Sequence, residues 1–313
     1  YEVPLRPTYE RRGYDDTAAM KKDGKIDQAE VAERIQSVNT GSQPFEDEHG
    51  KGLSLDLPIT EEGSGTKWRL VWAAHTDVNL MEVRGTPARF RYVRHWPTLD
   101  SVMEEAVANR DDNLAHSRRF EKLLEQAPLV QSRRHLIAQG FQSYLSNTFW
   151  CDVADGTEWF SNWEGSCFFH STVDVEYNLS MLYFAIWPDL LRKTIDQWVH
   201  YGKEHAASGG AILSHDMGRG LPANGQSYPH DMPVEENANF LLLLQAYCHW
   251  TGDKEPIRLH AQFVAKMAHY LIWTDGDDSG FPSEGTANTI DDASPAIQYA
   301  RKQTYLAIKR VTA

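Results

Sequence analysis

From Thr98 to the C-terminus, apolar positions recur at helical spacing in blocks separated by linkers rich in Gly, Pro and Asp. The spacing predicts helices over 99–112, 114–126, 132–146, 172–186, 188–205, 234–252, 256–273 and 295–311. One stretch interrupts them: Thr148–Phe160, carrying Trp150 and Trp159, predicts strand. Upstream the pattern differs. Residues 1–66 are polar and rich in Gly, Asp and Glu, with helix-like periodicity over Asp16–Val38, whereas Lys67–Ala74 and Ala88–Arg94 predict strands. Charge and periodicity change character near Pro97, so the chain divides into a polar region holding the remnant of a β-domain (1–97) and a helical domain (98–313). No repeat of solenoid length is present. Paired helices joined by long loops predict a mainly α fold of the (α/α)6-toroid type, because simple bundles use shorter loops and long loops usually carry sites.

Composition narrows the function. The 313 residues are 41% hydrophobic and 11% aromatic, enough for one large core. A formal net charge of −13 argues against nucleic acid or an anionic membrane as partner, and apolar runs such as Phe240–Leu244 are too short to span a bilayer. Cys151, Cys167 and Cys248 have no metal-ligand spacing, permit at most one disulfide, and fit reduced thiols, which favours the cytoplasm over secretion. The chain begins at Tyr1 without an initiator Met and reads as processed or partial. Two stretches suggest cation loops. Asp23-Gly24-Lys25-Ile26 resembles half of a calcium loop, but Lys21 stands where an acidic ligand belongs. Asp275-Gly276-Asp277-Asp278-Ser279-Gly280 is a solvated turn that could take Ca2+.

Four clusters with chemical potential lie in the inter-helix loops: Glu164 with Asp174; Ser214-His215-Asp216-Met217-Gly218; Asp231-Met232-Pro233-Val234-Glu235-Glu236-Asn237; and Asn288-Thr289-Ile290-Asp291-Asp292. Each has a plainer explanation. Glu235 and Glu236 suit the first turn of a helix, where acids meet the positive end of its dipole. Ser294-Pro295 already starts the last helix, which leaves Asp291 and Asp292 unexplained. His215-Asp216 could be a buried turn, and Glu164 a solvated loop acid. Taken together, two carboxylates on separate loops, near aromatic residues and a His-Asp pair, fit glycoside hydrolysis. In retaining enzymes of that kind the two carboxyls stand about 5–5.5 Å apart. Trp159 and Trp163 offer faces on which a sugar ring could stack. A serine-hydrolase elbow is missing.

At these residues the chain resembles glycoside hydrolases of clan O, families 52 and 116, which include β-xylosidases and β-glucosidases. The resemblance runs from about Trp150 to Lys309. Trp163-Glu164-Gly165 followed by Ser171-Thr172-Val173-Asp174 is similar to the segment that carries the family nucleophile and a sugar-binding Asp. Ser214-His215-Asp216-Met217-Gly218 is similar to the motif whose His and Asp bind sugar hydroxyls, and Thr289-Ile290-Asp291 to the one whose Asp is the acid/base. Ser166-Cys167 and Ile290 depart from the family pattern. A second resemblance, to the fungal glutaminase A family, covers 215–239 through His215-Asp216-Met217-Gly218, Leu221–Gln226 and Asp231–Glu236.

The clan O resemblance implies a retaining β-glycosidase acting on a xyloside or glucoside. Glu164 and Asp291 would be catalytic, and Trp163, Asp174, His215, Asp216 and Thr289 would bind substrate. No metal or other cofactor would be needed, and the partner would be a carbohydrate. Those families continue beyond the point where this chain stops, so the resemblance also implies a barrel that is incomplete here, or one completed by a second chain or a homo-oligomer. The alternatives are an amidase of the glutaminase A type and a carbohydrate-binding fragment without turnover.

Overall fold

The computed structural model describes residues 42–47, 50–55, 71, 73–287, 289–290 and 300–313. The chain falls into two units, Tyr1–Leu70 and Val71–Ala313. In the first, β1 (Ser42–Asp47) and β2 (Gly50–Leu55) form an antiparallel hairpin, paired from Ser42↔Leu55 to Asp47↔Gly50. The half calcium loop at Asp23–Ile26 lies outside the described residues.

The second unit combines helices with a five-stranded sheet. Its strands are β3 (Met81–Val83), β4 (Thr86–Phe90), β5 (Thr148–Val153), β6 (Glu158–Asn162) and β9 (Pro222–Ala223), in the order β6-β5-β4-β3-β9. Strand β5 shows why these residues pair: Phe149, Cys151 and Val153 point into the core while Trp150 stays exposed. The β3–β9 edge is parallel, with Glu82↔Pro222 and Val83↔Ala223 in register. The sheet therefore joins segments from both sides of Pro97.

Three helices, α1 (Leu99–Ala108), α2 (Arg110–Gln126) and α3 (Gln131–Ser146), connect β4 to β5 and present mostly exposed faces. They are joined to the body by aromatic contacts in series, Phe120 to Phe141 at 4.7 Å and Phe141 to Trp187 at 5.8 Å. The core is built by α4 (Val173–Ile186), α5 (Pro188–Trp198), α6 (Pro233–Thr251) and α8 (Ala261–Trp273). Its fully buried side chains include Trp198, Tyr183, Tyr270, Phe160 and Phe240. Between α6 and α8 lies the short α7 (Glu255–Leu259), and α9 (Thr304–Thr312) packs on α6. No helix among the described residues is long and apolar enough to cross a membrane.

Several sequence expectations change. The Ala88–Arg94 strand stops at Phe90, and Arg91–Arg94 forms a 3-10 turn, from which Arg91 pairs with Glu158 and Arg94 with Asp152. Residues 71, 73 and 74, the described part of the strand expected over Lys67–Ala74, are not strand. The helix expected over 188–205 ends at Trp198. A 3-10 turn, Val199–Tyr201, and a hairpin of β7 (Lys203–His205) with β8 (Gly210–Ile212) replace its last part. Gly202 lies between them because a Cβ there would sit 2.2 Å from the Phe263 ring. The helix expected over 256–273 breaks at His260, whose Nε2 lies 2.6 Å from Asp196 Oδ1. The last helix starts at Thr304, after Lys302 takes a left-handed conformation and donates its N–H to Pro282 O. No disulfide is formed: Cys151 and Cys248 are buried and Cys167 is exposed. In the acidic turn, Asp275 accepts from Gly280 N and pairs with Arg310, while Asp277 pairs with Lys302.

Candidate active site

Chain geometry around Glu164 is fixed by a tight loop leaving β6. Trp163 bridges to His170, Glu164 N–H donates to Phe169 O at 2.9 Å, and the intervening Gly165–Cys167 is one 3-10 turn. Closing the loop requires left-handed backbone at Phe168 (φ 58°) and Ser171 (φ 41°). Non-glycine residues there cost on the order of 1–3 kcal/mol each. Trp198 offsets this at Ser171 by donating its indole N–H to Ser171 O at 2.8 Å from a fully buried position. Burial of a side chain that size is worth about 3–5 kcal/mol against alanine, so packing outweighs the strain.

Thr172 occupies the N-cap of α4, yet its hydroxyl caps no helix N–H. It donates instead to Glu164 Oε2 at 2.8 Å. The helix start is served from elsewhere: Val173 N–H donates to His215 O at 3.0 Å, which ties the helix to the His215 loop. Two residues into the helix, Asp174 is buried, and its Oδ1 has no hydrogen-bond partner. Burial pushes its carboxyl up to about 6; nearby His215 opposes the shift, and the charges of Glu235 and Glu164 add to it. Glu176 is also buried. It accepts from Ser171 Oγ at 3.0 Å, and burial pushes it up to about 7.

The 214–218 loop is held by hydrogen bonds to its neighbours. Asp216 Oδ1 accepts from Gly218 N and Ser227 N, both at 2.9 Å, and Oδ2 accepts from Tyr228 N at 3.0 Å. His215 Nδ1 lies 3.0 Å from the same Oδ2. The Asp216 carboxylate can only accept, so the imidazole presents an Nδ1–H to it and the ring is held in one orientation. Tyr228 stacks on the His215 ring at 4.1 Å, and Phe169 meets it edge-on at 5.7 Å. Gly218 has φ 142°, and a Cβ there would approach Pro222 O to 2.5 Å. His170, below the loop, is buried. Its Nδ1 lies 2.8 Å from Ser161 Oγ and its Nε2 2.7 Å from Gly220 O; burial pushes it down to about 4, so it stays neutral.

The third side comes from α6. Pro233 starts the helix, and Glu235 and Glu236 occupy its first turn, both buried. Glu235 is surrounded by donors: Lys309 Nζ at 2.9 Å, Ile290 N at 2.9 Å, and the Tyr305 hydroxyl. Lys309 also donates to Asn239 Oδ1 at 2.6 Å and lies over the Tyr177 and Tyr305 rings. Glu236 has less support. Asn239 donates to its Oε2 at 3.3 Å, and Oε1 is buried without a partner. Burial, followed by the Asp174 and Glu235 charges, holds its carboxyl well above the usual range. One ligand atom each from Asp174, His215 and Glu236 lie within 4.8 Å of one another, and among the described residues these three could hold a metal ion.

The structure thus gathers Glu164, Asp174, His215 and Asp216, with Thr172, two residues before Asp174, donating to Glu164. Thr289 is buried with a partnerless Oγ1, next to the Ile290 amide held by Glu235. Trp163 is half-buried and packs against Phe149 at 4.3 Å, with its Nε1 3.0 Å from His170 Nε2. Trp159 is buried. Asp291, Asp292 and Asn288 lie outside the described residues. Sequence reasoning treated Glu235 and Glu236 as helix-opening acids and gave no role to Tyr305 or Lys309. The available signal was two adjacent acids at the start of an apolar helix, with a lone Lys on the last one. A cavity of about 240 Å³ lined by Val83, Trp159, Lys193, Gln197 and His200 shares none of the residues of this cluster.

Comparison with known proteins places the chain in a family. The sequence profile of glycosyl hydrolase family 52 matches residues 59–238, more than half of the chain. The chain belongs to glycosyl hydrolase family 52. The matched span contains Glu164, Asp174, His215, Asp216, Glu235 and Glu236. A β-xylosidase of Geobacillus stearothermophilus is 24% identical over an alignment of 247 positions that covers 70% of this chain and 38% of that protein. The family 52 chain described here therefore spans less than two fifths of that relative's length.

Proposed function

We propose that this family 52 chain carries both catalytic carboxylates of a retaining β-glycosidase. Glu164 attacks the anomeric carbon as Asp291 protonates the leaving oxygen, giving a glycosyl-enzyme. Asp291 then takes a proton from water, which displaces Glu164 with net retention. The observation that carries the reading is the Glu164–Thr172 hydrogen bond beside Asp174 and His215. One carboxylate is aimed by a helix-cap hydroxyl, next to a cluster of acceptors suited to sugar hydroxyls. His215 Nε2 and Asp174 Oδ1 accept from those hydroxyls. Asp216 orients His215 and holds the 225–228 turn, since its own oxygens are occupied. Thr289 sets the approach to Asp291, and Phe169 and Tyr228 offer aromatic surface beside His215. No step draws on a metal.

A β-xyloside is the first substrate to test, because the curated relative is a β-xylosidase; a β-glucoside is the second. The architecture that fits is an (α/α)6 toroid, supported by the packing of α4, α5, α6 and α8 around one core. Its remaining helices would come from further chain or a second subunit. The test is Glu164→Ala in the full-length protein. Turnover of an aryl β-xyloside should be lost, and added azide should restore it, releasing the glycosyl azide of inverted configuration. Undiminished turnover by Glu164→Ala would remove Glu164 from the mechanism.

A further inference from the structure

Glu236 is completely buried, and only one of its oxygens has a partner, Asn239. Its other oxygen and Asp174 Oδ1 are both without donors, and the two acids, from different helices, each bring a carboxylate oxygen within 4.8 Å of the other and of a His215 ring nitrogen. A buried acceptor left unsatisfied costs about 1–3 kcal/mol, more when charged. Two such oxygens on carboxylates that cluster with one imidazole are unexplained by packing. The helix dipole does not require them either, since Glu235 already serves the first turn and an exposed acid would serve it equally. The nearest cation is committed: Lys309 Nζ binds Glu235 and Asn239. Asp216 Oδ2, 3.0 Å from His215 Nδ1, fixes the imidazole beside them. Short of a metal ion, a ligand satisfying all three presents several hydrogen-bond donors on adjacent atoms, which is what the vicinal hydroxyls of a sugar do.

We infer that Glu236 is a substrate-contacting residue which, with Asp174 and His215, grips adjacent hydroxyls of the glycone and sets the hydroxyl pattern the enzyme accepts. This rests on the glycosidase reading and extends it to a residue that neither the motif resemblance nor helix chemistry assigns. The contact also makes Glu236 a specificity element. A sugar lacking the hydroxyl it holds leaves the buried Glu236 oxygen unsatisfied.

The experiment uses the full-length protein, an aryl β-xyloside and its 2-, 3- and 4-deoxy analogues, with wild type, Glu236→Gln and Glu236→Ala. Inhibition by free xylose supplies a readout of binding alone. In wild type, one deoxy analogue should lose roughly 100-fold in kcat/KM, as expected where a polar site loses its partner. Glu236→Ala should lose about as much on the parent substrate and bind xylose more weakly, yet barely distinguish the parent from that analogue, because the two losses remove the same contact. Glu236→Gln, which keeps the shape and can still bond a hydroxyl, should fall between. Equal slowing of all four substrates by Glu236→Ala, with discrimination unchanged, would mean a purely structural role and overturn the inference. If neither variant folds, the wild-type panel decides: losses under about threefold at every position overturn it. A wild type that neither hydrolyses any aryl β-glycoside nor binds xylose would sink the glycosidase reading, and the inference with it, before any variant is made.

Discussion

Glu176 gives a test that needs no substrate. Its carboxyl is buried on α4, accepts from Ser171 Oγ, and is pushed by burial from an ordinary 4.5 to about 7. Between those values the folded chain keeps a proton that the unfolded chain has released, so stability falls as pH rises through the window. A separation of 2.5 pH units corresponds to about 3.4 kcal/mol, of which about 2.5 kcal/mol falls between pH 5 and pH 8. Glu176→Gln keeps the volume and the bond from Ser171 but cannot ionise. At pH 5 the variant should match wild type closely; at pH 8 it should be more stable by about 2–3 kcal/mol. Urea unfolding followed by tryptophan fluorescence at pH 5, 6.5 and 8 measures this as a difference between two proteins. Other titrating groups cancel in that difference, including Asp174 and His170. A stability difference that stays flat from pH 5 to pH 8 would refute the claim that Glu176 is buried as an acid.

Two further outcomes are expected. Asp291→Ala should slow an aryl β-xyloside with a poor leaving group by about 10²–10⁴-fold, while a dinitrophenyl xyloside suffers far less; equal losses on both would rule out an acid role. Gly218→Ala places a Cβ 2.5 Å from Pro222 O and 2.7 Å from Ala223 Cα at φ 142°. It should lower stability by about 2–3 kcal/mol and displace the His215 loop, visible as a reduced Tm together with a raised KM for the aryl xyloside. An unchanged Tm would show that the loop takes up the methyl group freely.

Legibility in the sequence followed the range of the forces involved. Helices such as Pro233–Thr251 were readable because periodicity and Pro233 act locally. The helix expected through 205 was not, because the hairpin that ends it depends on Gly210, where a Cβ would sit 2.6 Å from Lys266 O, a close approach between distant segments. The β3–β9 pairing was invisible for the same reason. In the site, motif spacing pointed to the neighbourhood of Glu164, Asp174 and His215. It could not show that Asp216 is saturated by amides eleven and twelve residues downstream, or that Thr172 turns from its helix to Glu164. Glu236 went unread because an acid in a first helical turn already has a sufficient local explanation. Only its burial and its partnerless oxygen distinguish it.

The two-residue strand β9 has a consequence for biosynthesis. It anchors the chain just beyond Gly218 to β3, and Gly85 N–H bonds to Asn224 Oδ1 across 139 positions. A ribosome releases Met81–Phe90 long before Ala223, so the early strands emerge without the neighbour that completes their sheet edge. The His215 loop completes its support when that late segment arrives and closes the long loop, a slow kind of contact to form. The site is thus among the last parts of the unit to set. Changes within 81–90 would be felt as lost activity although no reacting group lies there.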